Sequence, residues 1–112
     1  MKNEVFTTPY FDNRYKRLAK KFASLENDVD NLIGKLLENP KTGESLGAGL
    51  YKIRLAIESK GKGKSGGFRV ASYLYEETDE GCTIYLIAIY DKSEESTITK
   101  KDLLSLVKNA FE

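Results

Sequence analysis

The N-terminal part of the chain shows the apolar periodicity of two amphipathic helices. Thr8 and Pro9 favour a helix start, and apolar residues then recur at spacings of four and three. They are Phe11, Tyr15, Leu18, Phe22 and Leu25. A second apolar face follows Ser24, a candidate cap, and stops before Asn39-Pro40, because the residue before a proline disfavours helix. It comprises Val29, Leu32, Ile33, Leu36 and Leu37. Neither helix can bury its apolar face alone, so a sheet is predicted beneath them.

From residue 51 onward the apolar positions alternate, which predicts strands. Segment 51–57 has apolar residues at its odd positions, and Lys52 and Arg54 share the opposite face. The next strand is predicted over 68–75. Segment 82–90 is nearly all apolar, as expected of a central strand that is covered on both faces. These three strands are predicted to form an antiparallel meander.

Shorter segments complete the predicted order of elements. A short edge strand is expected over 3–7, and segment 41–49, with its three glycines, is predicted to be a loop. Thr99 and Asp102 have the spacing of a capping pair for a last amphipathic helix. The order is strand, helix, helix, strand, strand, strand, helix. It predicts an α+β fold in which two N-terminal helices pack on a small antiparallel sheet, with a C-terminal helix and all helices on one face.

Composition indicates the class of protein and excludes several chemistries. A length of 112 residues predicts one domain over 1–112. No apolar run of ~18 residues predicts a membrane span, and the N-terminus has no apolar core of a secretion signal. The single cysteine, Cys82, cannot form an internal disulfide and is predicted to lie in the core. The chain has no histidine, which removes the commonest general acid–base group, the Ser-His and Cys-His pairs and most zinc sites.

The net charge of +1 conceals a local cationic segment. Residues 52–69 carry six basic residues and one acidic residue, a net charge of +5, whereas residues 70–112 have a net charge of −5. If the two strands pair antiparallel, Lys52, Arg54 and Arg69 project from one sheet face. Like charges side by side on a sheet are destabilising. The cluster therefore favours an anion site, with phosphate as the expected anion; the alternative is a solvated sheet face.

Two further features near this face have both a binding and a structural interpretation. The lysine–glycine loop, with Lys60, Lys62 and Lys64, is either a soluble hairpin tip or a basic finger along a nucleic-acid backbone. It is not a Walker P-loop, because its glycine and lysine spacing is wrong and no strand-to-helix transition follows. Four tyrosines on predicted strands near the cations are candidates to stack on bases: Tyr73, Tyr75, Tyr85 and Tyr90. The alternative is that they pack within the protein.

The residues in and around the cationic segment resemble the RelE/ParE superfamily of bacterial toxins. The similarity rests on YKIRL at 51–55, the lysine–glycine loop, GFRV at 67–70, IYDK at 89–92 and a terminal helix. The length of the loop is most similar to the HigB-type branch. The resemblance extends over residues 6–107 and is most specific over 51–92.

The resemblance implies an endoribonuclease that enters the ribosomal A site and cuts the mRNA there. The cleavage chemistry expected from the residue types themselves calls for no metal or other cofactor. The resemblance also implies a cytoplasmic bacterial protein that is neutralised by an antitoxin, and the RelE-like fold of two helices over a small antiparallel sheet. Lys52, Arg54 and Arg69 fall where family members carry catalytic or phosphate-binding basic residues. Lys92 falls where a further cation is usual.

Two positions depart from the family pattern. Many RelE members have an arginine immediately after the position of Lys92, where this chain has Ser93. Many also have a C-terminal tyrosine or histidine at the position of Thr99. The general acid and base are therefore left open, with Tyr73, Tyr90 and the loop lysines as candidates. Two alternatives follow for the whole protein: a gyrase inhibitor like the ParE branch, or an RNA-binding relative without catalysis.

The cleavage chemistry can be expected from the residue types themselves. RNA carries its own nucleophile, the 2′-OH, whose attack on the adjacent phosphorus leaves a 2′,3′-cyclic phosphate and a free 5′-OH. Arg54 and Arg69 suit the charge that develops on the phosphorane, because a guanidinium binds two phosphate oxygens at once, and Lys52 is a candidate general base. The absence of histidine predicts weak cleavage of free RNA. Orientation of the substrate by the ribosome would supply ~7–11 kcal/mol.

Overall fold

The computed structural model describes residues 2–60 and 67–112, and this part of the chain contains five strands and three α-helices. The elements are β1 (Glu4–Thr7), α1 (Pro9–Ala19), α2 (Leu25–Glu38), β2 (Glu44–Gly47), β3 (Leu50–Leu55), β4 (Phe68–Thr78), β5 (Gly81–Asp91) and α3 (Lys100–Phe111), with a 3-10 turn at Glu58–Lys60. Lys62, Lys64 and the side chain of Lys60 lie outside what the structure describes. No helix of the described residues is long and apolar enough to cross a membrane.

The five strands form one sheet in the order β1-β5-β4-β3-β2. The antiparallel meander β3-β4-β5 is confirmed, and the predicted N-terminal edge strand is β1. It pairs with β5 in parallel, so the sheet is mixed and the prediction of a purely antiparallel sheet was wrong at this edge. The two helices between β1 and the meander account for this direction, because they carry the chain back to the starting side of the sheet.

The prediction of a loop over 41–49 was wrong, because β2 lies within it and pairs antiparallel with β3. The glycines mark the ends of this strand. Gly47 and Gly49 have φ angles of +83° and +80°, which a tight turn between β2 and β3 requires. Gly43 has a φ of +104°, and a Cβ there would lie 2.7 Å from the carbonyl oxygen of Lys52. Glycine therefore allows β2 to approach the strand that carries the cations.

Helices cover both faces of the sheet, so the expectation of helices on one face was wrong. On one face, α1 and α2 bury Phe11, Leu32 and other apolar residues against Val70 and Ile89. On the other face, α3 packs Leu103 into a second, smaller apolar cluster of the sheet. The cause is that β5 is apolar at nearly every position, which gives the centre of the sheet two apolar faces.

The ends of the helices agree with the local sequence signals at two of three places. Thr8 caps α1 by accepting a hydrogen bond from the backbone amide of Phe11. Thr99 and Asp102 form the predicted reciprocal capping box at the start of α3. Ser24 occupies the cap position of α2 but makes no side-chain cap hydrogen bond. Cys82 is buried, as predicted.

Candidate functional site

The pairing of the central strands brings the predicted cations together. Arg54 of β3 lies directly opposite Arg69 of β4, and Arg69 lies directly opposite Tyr90 of β5. Directly opposed residues share one sheet face and have Cβ atoms about 5 Å apart. Lys52, two residues before Arg54, projects from the same face. The three residues Arg54, Arg69 and Tyr90 therefore form a row across three strands.

The row lies in a pocket with a volume of about 670 Å³. Lys52, Arg54, Arg69, Tyr90 and Lys92 all line this cavity, which we call the cationic pocket. It extends past the edge of β3 toward α2, because β2 pairs with β3 only as far as Lys52. The pocket is large enough for a ligand of the size of one or two nucleotides, since small-molecule sites occupy roughly 300–1,000 Å³.

The four basic side chains differ in burial and therefore in what they offer a ligand. Arg69 is only 4% exposed, and its guanidinium donates a hydrogen bond of 3.2 Å to the carbonyl oxygen of Phe68. A buried arginine is held in one place by its surroundings. Arg54 and Lys92 are exposed and Lys52 is half-buried. Arg69 thus provides a fixed positive charge at the base of the pocket, and the other three present their charges nearer to solvent.

In the part of the chain that the structure describes, no carboxylate forms an ion pair with the more accessible cations. Across residues 2–60 and 67–112, Lys52, Arg54 and Lys92 form no ion pair within 4 Å. Two acidic residues, Asp28 and Glu44, also line the pocket. Asp28 is already occupied by protein hydrogen bonds. The surplus of positive charge favours an anion as the ligand of this cavity.

Tyr90 adds an uncharged polar group to the row. It is 2% exposed, and its hydroxyl has no hydrogen-bond partner among the residues that the structure describes. Buried polar groups are nearly always hydrogen-bonded, and leaving one unsatisfied costs roughly 1–3 kcal/mol. The phenol is therefore available to donate a hydrogen bond to a ligand group, such as an oxygen of the anion that the arginines would hold.

The structure places Tyr73, another of the tyrosines predicted to contact RNA, outside the described lining of the pocket. Its ring packs against Phe111 of α3 at 5.7 Å and against Tyr75 at 6.5 Å. This is the packing alternative that the sequence left open. Base stacking by Tyr73 stays a prediction, as do the roles of the loop lysines.

Sequence reasoning missed the residue that ties the 3-10 turn at Glu58–Lys60 to α2. Asp28 of α2 is 8% exposed. Its carboxylate accepts hydrogen bonds from the Ser24 hydroxyl at 2.7 Å and from the backbone amide of Glu58 at 3.2 Å. The Ser24 hydroxyl in turn accepts one from the amide of Ser59 at 2.8 Å. The spacing of Ser24 and Asp28 fits one helix turn, but their link to a segment 30 residues away has no sequence signal.

The chain thus has an α+β fold with a cationic pocket on one face of its sheet. No protein family model matches the chain. A solved structure similar to it is that of the E. coli toxin RelE, a double arginine-to-alanine mutant in the free state. The two chains superpose with a TM-score of 0.60 over 97% of this chain and 98% of that one, at 16% sequence identity. The chain thus has the RelE fold, as the resemblance implied, and assignment to the HigB-type branch stays a prediction.

Proposed function

We propose that this chain is the toxin of a type II toxin–antitoxin pair and that it cleaves translated mRNA on the ribosome. The observation that supports this most is the row Arg54–Arg69–Tyr90, joined by Lys52 and Lys92, in one pocket of a RelE fold. Cations opposed on neighbouring strands weaken a sheet. Their retention in one open pocket is best explained by a polyanionic substrate.

In the proposed reaction the 2′-OH of the RNA attacks the adjacent phosphorus and the 5′-oxygen leaves. Arg69 holds one face of the phosphate from a fixed, buried position, so it need not be reorganised when charge develops on the phosphorane. Arg54 approaches from the neighbouring strand and can bind two phosphate oxygens. Lys92 and Lys52 add positive charge at the mouth of the cationic pocket. The reaction needs no metal ion, because RNA supplies the nucleophile and side chains supply the positive charge.

We assign proton transfer to residues of the cationic pocket and not to Ser93 or Thr99, the two positions where the chain departs from the family pattern. The hydroxyl of Ser93 donates a hydrogen bond to the carboxylate of Asp91 at 2.8 Å, and the hydroxyl of Thr99 caps α3. Both groups therefore have structural tasks. Lys52 and Tyr90 remain as the candidates that line the pocket.

Dependence on the ribosome follows from this modest catalytic set. With no histidine in the chain, no side chain in the pocket has an ordinary pKa near neutrality. Alignment of the 2′-OH and the phosphate by the ribosome would lower the barrier by ~7–11 kcal/mol. Cleavage of ribosome-bound message also places the protein in the cytoplasm, where an antitoxin with an acidic segment would block the cationic pocket.

The proposal is tested by inducing the wild type and the variant K52A/R54A/R69A in a bacterial host and mapping mRNA 5′ ends. The wild type is expected to arrest growth and to produce new 5′-OH ends in phase with codons, and the variant neither. A matched control removes two exposed cations of α1 and one at its C-terminal cap, in the variant K16A/R17A/K20A, which is expected to stay toxic. Because Arg69 is buried, the double variant R54A/K92A, which changes only exposed positions, separates loss of the site from loss of the fold.

The outcomes of this experiment separate the alternatives. Full toxicity of K52A/R54A/R69A, or unchanged cleavage by R54A/K92A, would overturn the assignment of the pocket. Growth arrest with a gyrase defect and without new mRNA ends would favour a ParE-like inhibitor. RNA binding without arrest or new ends would indicate a relative that binds but does not cut, which the structural tasks of Ser93 and Thr99 would favour.

A further inference from the structure

Lys92 lines the cationic pocket from a turn and not from the sheet. It follows the last residue of β5 and is exposed. The turn is shaped by Asp91, whose backbone carbonyl accepts hydrogen bonds from the amides of Glu94 and Glu95, both at 3.0 Å. Its carboxylate accepts a hydrogen bond from the amide of Ser93 at 3.0 Å. These bonds lie within the turn. They fix its shape but do not attach it to the rest of the protein.

Arg14 of α1 makes that connection from the opposite side of the turn. Its Nε donates a hydrogen bond of 3.0 Å to the carbonyl oxygen of Ile89, near the end of β5. Its terminal nitrogen forms an ion pair and hydrogen bond with the carboxylate of Glu95, inside the turn. Its guanidinium also lies 5.5 Å from the centre of the Tyr10 ring. One side chain thus ties α1, β5 and the turn together.

The environment of this contact makes it stronger than an ordinary surface ion pair. The side chain of Arg14 is only 18% exposed and that of Glu95 38%, so the pair is partly shielded from water and salt. A guanidinium can also serve Ile89 and Glu95 at once, because its donors form a rigid fork. The neighbouring pair, Lys21 with Glu94, joins the same helix region to the same turn at 3.9 Å. Both of its side chains are more than half exposed, and such pairs contribute little.

We propose that Arg14 and Glu95 are positioning residues that hold Lys92 at the mouth of the cationic pocket. The inference rests on the proposed function, because it assigns to this contact a role in the cleavage step. Neither residue lines the cationic pocket, so both act through the turn. Loss of the contact lets the turn move, and Lys92 then places its charge less accurately against the phosphate.

The test measures cleavage of mRNA on programmed ribosomes by purified variants. E95Q is expected to lower kcat about tenfold with KM changed less, since small displacements of a charge near the reacting phosphate weigh on the transition state. R14K keeps the positive charge but loses the guanidinium that binds Ile89 and Glu95 at once. Its kcat should therefore lie between those of E95Q and the wild type. The matched control E94Q, which removes the exposed pair one residue away, should retain the wild-type kcat.

The decisive comparison is a double-mutant cycle. If Glu95 acts through Lys92, E95Q/K92A should cleave as slowly as K92A alone, within about twofold. The proposal would be overturned if E95Q lowered kcat by the same factor in the wild-type and K92A backgrounds. It would also be overturned if E94Q lowered kcat as much as E95Q does. Equal melting temperatures of E95Q and E94Q would exclude general unfolding as the cause.

Hydrogen exchange separates failure of this inference from failure of the proposed function. The backbone amides of residues 93–95 should exchange about tenfold faster in E95Q than in E94Q, whether or not the protein cleaves RNA. Faster exchange together with an inactive wild type would contradict the proposed function and leave the contact as a brace of the turn. Unchanged exchange would overturn the positioning role itself.

Discussion

Arg54 and Arg69 lie directly opposite each other on the neighbouring antiparallel strands β3 and β4. Neither residue belongs to the small apolar cluster that α3 covers. Like charges in this relation repel, and opposed side-chain pairs change stability by roughly 0.2–1 kcal/mol. Arg69 cannot relieve the repulsion by moving into solvent, because it is buried. We therefore expect this opposition of like charges to cost a little stability, at the place where we propose that a phosphate binds.

Neutralising the exposed member of this pair should separate stability from function. R54Q is expected to raise the free energy of unfolding by about 0.5 kcal/mol, because it removes the repulsion, while it lowers the rate of RNA cleavage at least tenfold. Urea unfolding and ribosomal cleavage assays measure the two effects. R17Q, on exposed α1, serves as the control and should change neither. A less stable R54Q would mean that the two arginines are not in net repulsion.

Removing the Tyr90 hydroxyl should likewise slow RNA cleavage without lowering the stability of the fold. Because this buried hydroxyl has no hydrogen-bond partner in the described part of the chain, Y90F should leave the free energy of unfolding unchanged or raise it by about 1 kcal/mol. Cleavage should slow if the phenol binds the phosphate or carries a proton. Denaturant unfolding and single-turnover kinetics test this. A Y90F protein that is clearly less stable would show that the hydroxyl is bonded in the folded state.

Gly43 should be intolerant of a side chain. A Cβ at this residue would lie 2.7 Å from the carbonyl oxygen of Lys52 and 2.8 Å from Ile53, on a backbone with a φ of +104°. G43A is therefore expected to lower the free energy of unfolding by roughly 2 kcal/mol and to disturb the strand that carries Lys52. In G34A, the matched control, the new Cβ meets nothing within 4 Å on α2, and stability should rise by about 1 kcal/mol. Thermal or urea unfolding distinguishes the two; equal effects would contradict the close approach of β2 and β3.

Tyr15 should make stability depend on pH in the alkaline range. Burial raises the pKa of Tyr15 above its ordinary value, and the carboxylates of Glu26 and Asp30 add to this effect. The folded state therefore holds the phenolic proton more tightly than the unfolded chain. Its contribution is fully present below the unfolded pKa of about 10 and is lost as the pH rises through the folded pKa. The difference in unfolding free energy between the wild type and Y15F should be constant below pH 9 and move against the wild type above it. A difference that does not change with pH would argue against the raised pKa.

The sequence predicts those parts of the fold that depend on local patterns. The apolar stripes from Phe11 to Leu25 and from Val29 to Leu37 correspond to α1 and α2, because a helical period is visible within a few turns. The first stripe was too long, since α1 ends at Ala19 and Leu25 begins α2. The opposition of Arg54 and Arg69 also follows from local information. Two strands joined by a loop pair antiparallel, and the alternation of side chains then decides which residues share a face.

The sequence does not predict features that arise when distant segments meet. The three glycines of segment 41–49 led to the prediction of a loop. In the structure they permit the turns of β2 and its close approach to β3. The position of α3 on the second face depends on the whole sheet, because an apolar helix face in the sequence does not indicate which face of a sheet it covers. The contacts of Asp28 with Glu58 and of Arg14 with Glu95 join residues 30 and 81 positions apart, and nothing in the local sequence marks such pairs.

The most direct test of the proposed cleavage uses purified protein, ribosomes programmed with a defined mRNA, and the same mRNA without ribosomes. We predict cleavage of the ribosome-bound message that leaves 2′,3′-cyclic phosphate and 5′-OH ends, much slower cleavage of the free RNA, and no cleavage by R54A/K92A. An intact message on ribosomes to which the protein is bound, or equal cleavage by R54A/K92A, would contradict the proposal that the cationic pocket is a ribonuclease site.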